Sequence, residues 1–148
     1  MGVRHTEASM VLQSERVYTF QRIFILRMGS GQRKHDTPPS RSLGPITAGE
    51  YLSREEYFDK QLREKIGAEP AGKSVDEKVA VLMNYRWNQF EQLVDAVYKR
   101  RGWTPNGIPK LEKLIEIEMD LPELVDVIRP HLKAEGYWQE GPEFAKYE

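Results

Sequence analysis

Histidines, carboxylates and cysteines are the residues with which this chain could do acid–base, nucleophilic or metal chemistry. The sequence contains no cysteine, which excludes disulfides, thiolate catalysis, zinc–thiolate sites and an iron–sulfur cluster held by this chain. His5, His35 and His131 have no spacing that would place two histidines and a third ligand on one face. His35 and Asp36 are adjacent, but adjacency does not orient a carboxylate on an imidazole as a catalytic dyad requires. No catalytic, cofactor-binding or metal-binding residue is therefore predicted.

Two other patterns suggest chemistry that their context does not support. Residues 29–34 (GSGQRK) look like a phosphate-binding loop, but such loops follow a strand and open a helix. Here the glycines follow a helical pattern and lead into prolines, so we interpret them as the end of a helix. Glu116, Glu118 and Asp120 form a small acidic cluster, which is expected to be the solvated end of a helix rather than an acid–base pair.

Length and charge limit the class of protein. A chain of 148 residues is expected to form one domain with its own core. With a net charge of −1 and 30% charged residues, bulk charge gives no nucleic-acid or anionic-membrane signal. No apolar run approaches the roughly 18 residues of a membrane span. We therefore expect a cytoplasmic protein that binds neither nucleic acid nor membrane.

Residues 74–103 hold the longest helical pattern and predict a helix at 74–101. Ser74 and Glu77 match a capping box at its start, and Gly102 suits the left-handed conformation that ends many helices. The apolar stripe of this helix needs other helices to cover it. The stripe comprises Val79, Leu82, Met83, Phe90, Leu93, Val94 and Val97, with Arg86 as its one polar member.

The first helix is expected to be buried on more than one side, because its apolar face is unusually wide. Met10, Val17, Phe20, Phe24 and Met28 recur on one face, and Val11, Leu12, Tyr18, Ile23 and Leu26 widen it.

Helix-breaking glycines and prolines, together with apolar periodicity, define the remaining segments. Ser53 with Glu56 gives a second capping box, which predicts the start of a short helix. We predict an all-α fold: a single helical domain over residues 1–148, built as an irregular bundle of about five helices with a long prolyl loop after the first. The segments are helix 6–28, loop 29–52, helix 53–66, the long helix 74–101, helix 109–119, helix 122–135 and a tail at 137–148.

The loop at residues 30–52 is the least ordinary part of the chain. Its prolines cannot lie in a helix interior, and an irregular stretch of this length inside a compact domain is usually functional or disordered. We therefore expect this loop, rather than the long helix, to carry the function. Its charged residues are mostly basic, with Arg33, Lys34, His35 and Arg41 against Asp36.

Two blocks of the sequence are more specific than the rest. Residues 15–41 (ERVYTFQRIFILRMGSGQRKHDTPPSR) contain a helix ending in Arg-x-Gly and then a basic loop, with Arg27, Gly29, Arg33, Asp36, Pro39 and Arg41 in order. Residues 96–114 (AVYKRRGWTPNGIPKLEKL) contain a helix, Arg-Gly-Trp, a turn, Gly-x-Pro and another helix. In this order the blocks resemble the C-terminal part of the tungsten-containing aldehyde ferredoxin oxidoreductase family.

The resemblance implies the last helical domain of a larger oxidoreductase. Family members oxidise aldehydes to acids and pass electrons to ferredoxin through a tungstopterin and a [4Fe–4S] cluster held by cysteines. This chain has no pterin-binding Asp-x-x-Gly-Leu motif and no cysteine, so it is expected to bind neither group itself. It looks like a fragment or a separately encoded domain whose partner is the N-terminal cofactor-binding portion. The residues expected to face that portion are Arg27, Arg33, Asp36 and Arg41.

Two rival hypotheses use the same residues. A free-standing helical interaction module would bind another protein through the loop and the aromatic tail. A small hydrolase or transferase is the weaker rival, because no nucleophile–base pair is visible in the sequence. Residues 100–103 are interpreted as a helix end, and a stacking surface for a ligand on Trp103 is the alternative.

Overall fold

The helices of this protein occupy most of the chain in a computed structural model, which describes residues 6–139 and 141–147. The predicted all-α class is confirmed, because the described residues contain helices and no strand. None of the described helices is both long enough and apolar enough to span a membrane. The helices are α1 Glu7–Arg27, α2 Ala48–Leu52, α3 Glu55–Gln61, α4 Val75–Arg100, α5 Leu111–Glu116, α6 Pro122–Ala134 and α7 Pro142–Ala145, with a π-helical turn at Leu62–Ile66 and 3₁₀ turns at Arg33–His35 and Ser40–Ser42.

The chain divides into two compact units, each with its own core. The first unit comprises Met1–Thr37 and Asp95–Glu148, and the second comprises Pro38–Val94. In the first unit, apolar side chains of α1, α5, α6 and α7 form one buried cluster, against which the aromatic tail packs. Its buried members are Ile23, Leu26, Ile108, Leu111, Leu114, Val125, Ile128, Leu132 and Phe144.

The second unit is built around Tyr51, Phe58, Leu62 and Leu82, which are all buried. Hydrogen bonds of polar groups add to this apolar packing. The Tyr51 hydroxyl donates to Asp59 Oδ1 over 2.7 Å. The buried Lys78 amine donates to Glu55 over 3.0 Å and to Asp59 over 3.2 Å.

The start of α4 follows its sequence signals, whereas the predicted stripe is only partly correct. The Ser74 hydroxyl accepts from the Glu77 amide over 3.3 Å, and the Glu77 carboxylate accepts from the Ser74 amide over 2.7 Å. Leu82 is buried, but Leu93 is 62% exposed and Val97 is 38% exposed. At the end of the helix the inward residue is Tyr98, because its hydroxyl reaches polar partners inside the first unit.

The expected cap at Ser53 is wrong, because this residue ends α2 instead of starting a helix. Thr47 begins α2, and its hydroxyl accepts from the Glu50 amide over 3.2 Å. Two short helices therefore stand where the sequence predicted the end of a loop and one helix. Thr47 and Glu50 satisfy the same spacing rule as Ser53 and Glu56, so the first of two competing capping signals is the one the backbone uses.

The expectation that α1 is buried on more than one side is also wrong for the described residues. Only Thr19, Arg22, Ile23 and Leu26 are buried along this helix. The face predicted to lead the packing is turned outward, and Met10, Val17, Phe20, Phe24 and Met28 are each at least 50% exposed.

Candidate functional site

The basic loop after α1 is attached to the first unit by a buried arginine. Arg22 lies on the inner face of α1, where its side chain is 8% exposed. Its guanidinium donates to both oxygens of Asp36, over 2.9 Å and 2.7 Å, in a bidentate pair. Nε of the same side chain donates to the Gly107 carbonyl over 2.8 Å. Arg22 therefore joins the start of the loop to the turn that precedes α5.

Tyr98 completes this cluster from the end of α4. Its hydroxyl accepts from Arg22 over 2.9 Å and is hydrogen bonded to Asp36. Burial first, and then the hydrogen bond to Asp36, raises the pKa of Tyr98 to about 12. The phenol consequently stays protonated and can donate to the carboxylate. The Arg22 guanidinium also lies 4.8 Å from the ring centre of Trp103, which is a favourable cation–π distance.

Burial and hydrogen bonding oppose each other at Asp36. Burial alone raises the pKa of this carboxyl, but the hydrogen bonds from Arg22 and Tyr98 outweigh it and hold the pKa below its ordinary value. The carboxylate is therefore charged and engaged within the unit by three hydrogen bonds. We name Arg22, Asp36 and Tyr98 the anchor cluster, because they hold the loop in place.

The other residues predicted to form the site differ in their hydrogen-bond and ion-pair partners. Arg33 donates to Asp95 over 2.5 Å and to the Pro105 carbonyl over 3.0 Å, so it also fixes the loop. Arg27 is exposed at the end of α1, and it has no ion-pair partner among the residues that the structure describes. Arg41 belongs to the second unit, where it pairs with Glu50 over 3.0 Å.

His35, Asp36 and the acidic residues at positions 116, 118 and 120 each have separate partners. The His35 ring accepts from the Gln32 amide over 3.2 Å through Nδ1, while Asp36 is held by Arg22. Among the described residues, no group of three or more potential ligands could hold a metal ion. The acidic cluster is also divided, because its carboxylates pair with different cations: Glu116 with Lys113, Glu118 with Arg16, and Asp120 with Lys146.

Sequence reasoning missed Arg22, Tyr98 and Gly107, the three residues that organise the loop. Arg22 stands one position before Ile23 and four before Leu26, so its spacing placed it on the buried face of α1. Residues 100–103 end α4, as the sequence was interpreted. Trp103 is 9% exposed and packs against Tyr98 with ring centres 5.7 Å apart.

The sequence that holds this loop matches a known protein family. Residues 1–119 match the family model described as aldehyde ferredoxin oxidoreductase, domains 2 and 3. The chain belongs to this family. No curated protein and no solved structure gives a significant match. The matched region of this aldehyde ferredoxin oxidoreductase domain includes the anchor cluster and the whole basic loop.

The [4Fe–4S] cluster of full aldehyde ferredoxin oxidoreductases does not fit the residues of this chain. An iron–sulfur cluster needs thiolate ligands, and the sequence has no cysteine. The described carboxylates and imidazoles do not form a metal-ligand group either. In the loop, the side chains of Arg33, His35 and Asp36 are used for internal hydrogen bonds.

The pH dependence of unfolding is expected to include a contribution from Asp36. Because the pKa of Asp36 is lower in the folded state than its ordinary 3.8, the unfolded state binds more protons in this range. Stability from this group is therefore present above about pH 4 and is lost as the pH falls through the folded pKa. Urea unfolding of the wild type and of Asp36→Asn should show a difference that shrinks between pH 5 and the acid limit. A difference that is constant with pH would contradict this assignment.

Proposed function

We propose that this chain is a helical domain that forms one wall beside the cofactors of an aldehyde ferredoxin oxidoreductase and performs no catalysis alone. The observation that supports this most directly is the family match over residues 1–119 in a chain without cysteine. The function of such a domain is to position a loop against another protein surface. The anchor cluster suits that role, because it fixes the start of the loop with hydrogen bonds inside the first unit.

The parent reaction in this proposal is the oxidation of aldehydes to acids, with electrons passed to ferredoxin. A tungstopterin and a [4Fe–4S] cluster supply that redox chemistry in the family, and both would belong to the cofactor-binding portion. The residues of this chain would exclude water and hold neighbouring segments in place. The whole assembly would be cytoplasmic.

The predicted interface residues take separate roles in this proposal. Arg33 and Asp36 hold the loop from within, through their bonds to Asp95 and Arg22. Arg27 and Arg41 are exposed and would face carboxylates of the cofactor-binding portion. A pair of exposed charges at the edge of an interface contributes to the orientation and rate of association more than to affinity.

Metal analysis of the purified chain tests the catalytic part of the proposal. We expect tungsten, molybdenum and iron each far below one atom per chain, because the donors for these cofactors are lacking. We also expect no aldehyde-dependent reduction of an artificial electron acceptor. Stoichiometric metal that survives gel filtration, or aldehyde turnover by the chain alone, would overturn it.

A free-standing interaction module is the second candidate, and the exposed apolar face of α1 favours it. The two candidates differ in the partner that they require. The first predicts binding to a protein that carries pterin motifs and cluster cysteines. The second predicts a complex with a partner that lacks both, and isolation of such a complex at stoichiometric yield would favour it.

A further inference from the structure

Helix α1 has two apolar faces, and the described part of the chain covers one of them. Ile23 and Leu26 point into the core of the first unit. The opposite face presents the residues that we name the outer stripe: Met10 (63% exposed), Val17 (53%), Phe20 (50%), Phe24 (55%) and Met28 (71%). At roughly 100° per residue these side chains fall within an arc of roughly 80°. They lie along nearly the whole helix, with the polar Gln13 between Met10 and Val17.

The first half of α1 is uncovered on its inner side as well. No residue of this helix before Thr19 is buried. An open hollow of about 610 Å³ lies beside these turns, lined by Ala8, Val11, Leu12 and the polar Thr6, Glu7 and Glu15. The amino-terminal turns therefore expose apolar side chains around most of their circumference.

This exposure is not general in the first unit. In α6, Val125, Ile128 and Leu132 all face the core and are fully buried. A helix that is apolar all round is normally buried, and a contiguous apolar patch of this kind marks an interaction surface. Among the residues that the structure describes, none covers the outer stripe.

Charge indicates what kind of surface would cover the stripe. Arg27 is exposed at its carboxyl-terminal end and Lys34 is exposed in the loop that follows, and neither has an ion-pair partner among the described residues. Arg16, which lies on the same helix, is instead paired with Glu118. A protein surface with apolar side chains and carboxylates at one end would complement the stripe.

A second copy of the chain is a poor complement. An antiparallel pair of α1 helices related by a two-fold axis brings equal flanks together, and the flank of Arg27 carries Arg16 but no glutamate. Glu7 lies on the other flank. In a parallel pair Glu7 would stand at the far end of the helix, roughly 30 Å from Arg27 at 1.5 Å per residue.

We propose that the outer stripe of α1 inserts into an apolar groove on the cofactor-binding portion of the enzyme, with carboxylates of that portion facing Arg27 and Lys34. This inference rests on the proposed function and names the surface through which it operates. The binding mode is a helix in a groove, with anchors at three- and four-residue steps.

The test uses this chain and, as the probe, the cofactor-binding portion of an aldehyde ferredoxin oxidoreductase from the same organism, produced without the region that matches residues 1–119. Calorimetry measures the affinity for the wild type, for Val17→Glu/Phe24→Glu, and for the control Leu93→Glu/Leu121→Glu. The control makes the same change at residues that are 62% and 57% exposed but lie outside α1. We expect the stripe variant to bind about 100-fold more weakly, and the control to bind like the wild type.

A second variant changes only exposed charged residues, which are not needed for the packing of the core. Arg27→Glu/Lys34→Glu should weaken binding about tenfold and reduce its dependence on salt, because the change removes the attraction to carboxylates. Circular dichroism of each variant checks that its helices are retained.

The other outcomes contradict either the proposed function or the docking surface. If the wild type does not bind the probe, the proposed function fails. If the wild type binds and both the stripe and charge variants bind equally well, the proposed function stands but the stripe is not the docking surface. If light scattering gives a dimer for the wild type and a monomer for the stripe variant, the occupant is a second copy, and the inference is wrong.

Discussion

Replacing Arg22 with methionine is expected to lower the free energy of unfolding by about 1–3 kcal/mol, the cost of leaving hydrogen-bonding groups without their partner. The loss is smaller than for a fully buried ion pair, because the Asp36 side chain is 33% exposed and water can replace part of the lost donors. The Asp36 carboxylate would lose its bidentate partner, and the Gly107 carbonyl would lose the donor that reaches it over 2.8 Å. Methionine has a similar length and can fill the space, so the loss reports on the polar partners rather than on a cavity. Urea unfolding followed by circular dichroism measures it.

Arg27→Met is the matched control, because Arg27 lies on the same helix and is exposed. A surface substitution of this kind should change the free energy of unfolding by less than about 0.5 kcal/mol. If the two substitutions cost the same, the anchor cluster does not stabilise the domain. The amide protons of residues 33–37 should also exchange faster in Arg22→Met, because the loop loses its attachment to α1.

The helix ends were predictable because their signals are local. The capping box at Ser74 and Glu77 involves neighbours in sequence and forms as expected. Gly102 has a φ of +66°, the left-handed conformation that its position past the last turn requires. The missed α2 had a signal of the same kind in Thr47 and Glu50, and the error was to use only the second of two adjacent boxes.

The coverage of α1 was not predictable from its sequence. Periodicity shows where apolar side chains recur, but it does not show whether a partner exists for each face. The outer stripe is the more apolar of the two faces of α1, because the buried face carries Thr19 and Arg22 beside Ile23 and Leu26. Apolar content alone would therefore have chosen the wrong face. An apolar pattern therefore predicts that a surface will be covered, while the identity of the cover depends on other chains.

The anchor cluster lay beyond sequence reasoning for a related reason. An arginine in a helix is normally interpreted as a solvent-facing residue, because burying an unpaired charge is costly. Arg22 is buried because Asp36, Tyr98 and Gly107 converge on it from positions 14, 76 and 85 residues away. No local pattern records such a convergence.

Replacing Gly107 with alanine is expected to lower the free energy of unfolding by about 2–5 kcal/mol through two separate causes. Gly107 has a φ of +84°, a conformation that costs a residue with a Cβ about 1–2 kcal/mol. An added Cβ would also overlap Nη2 of Arg22 and approach the Tyr98 ring to 3.0 Å. Overpacking of a buried site adds about 1–3 kcal/mol.

Gly136→Ala separates these causes, because Gly136 has a similar φ of +74° but no atom within 4 Å of an added Cβ. This control should lose only the conformational part, about 1–2 kcal/mol. The excess at Gly107 then measures the crowding of the anchor cluster. In the Arg22→Met background that excess should shrink, since the clashing guanidinium is gone, with a coupling energy of about 0.5–3 kcal/mol. Equal losses at both glycines, or a cycle without coupling, would show that Arg22 does not occupy the space beside Gly107.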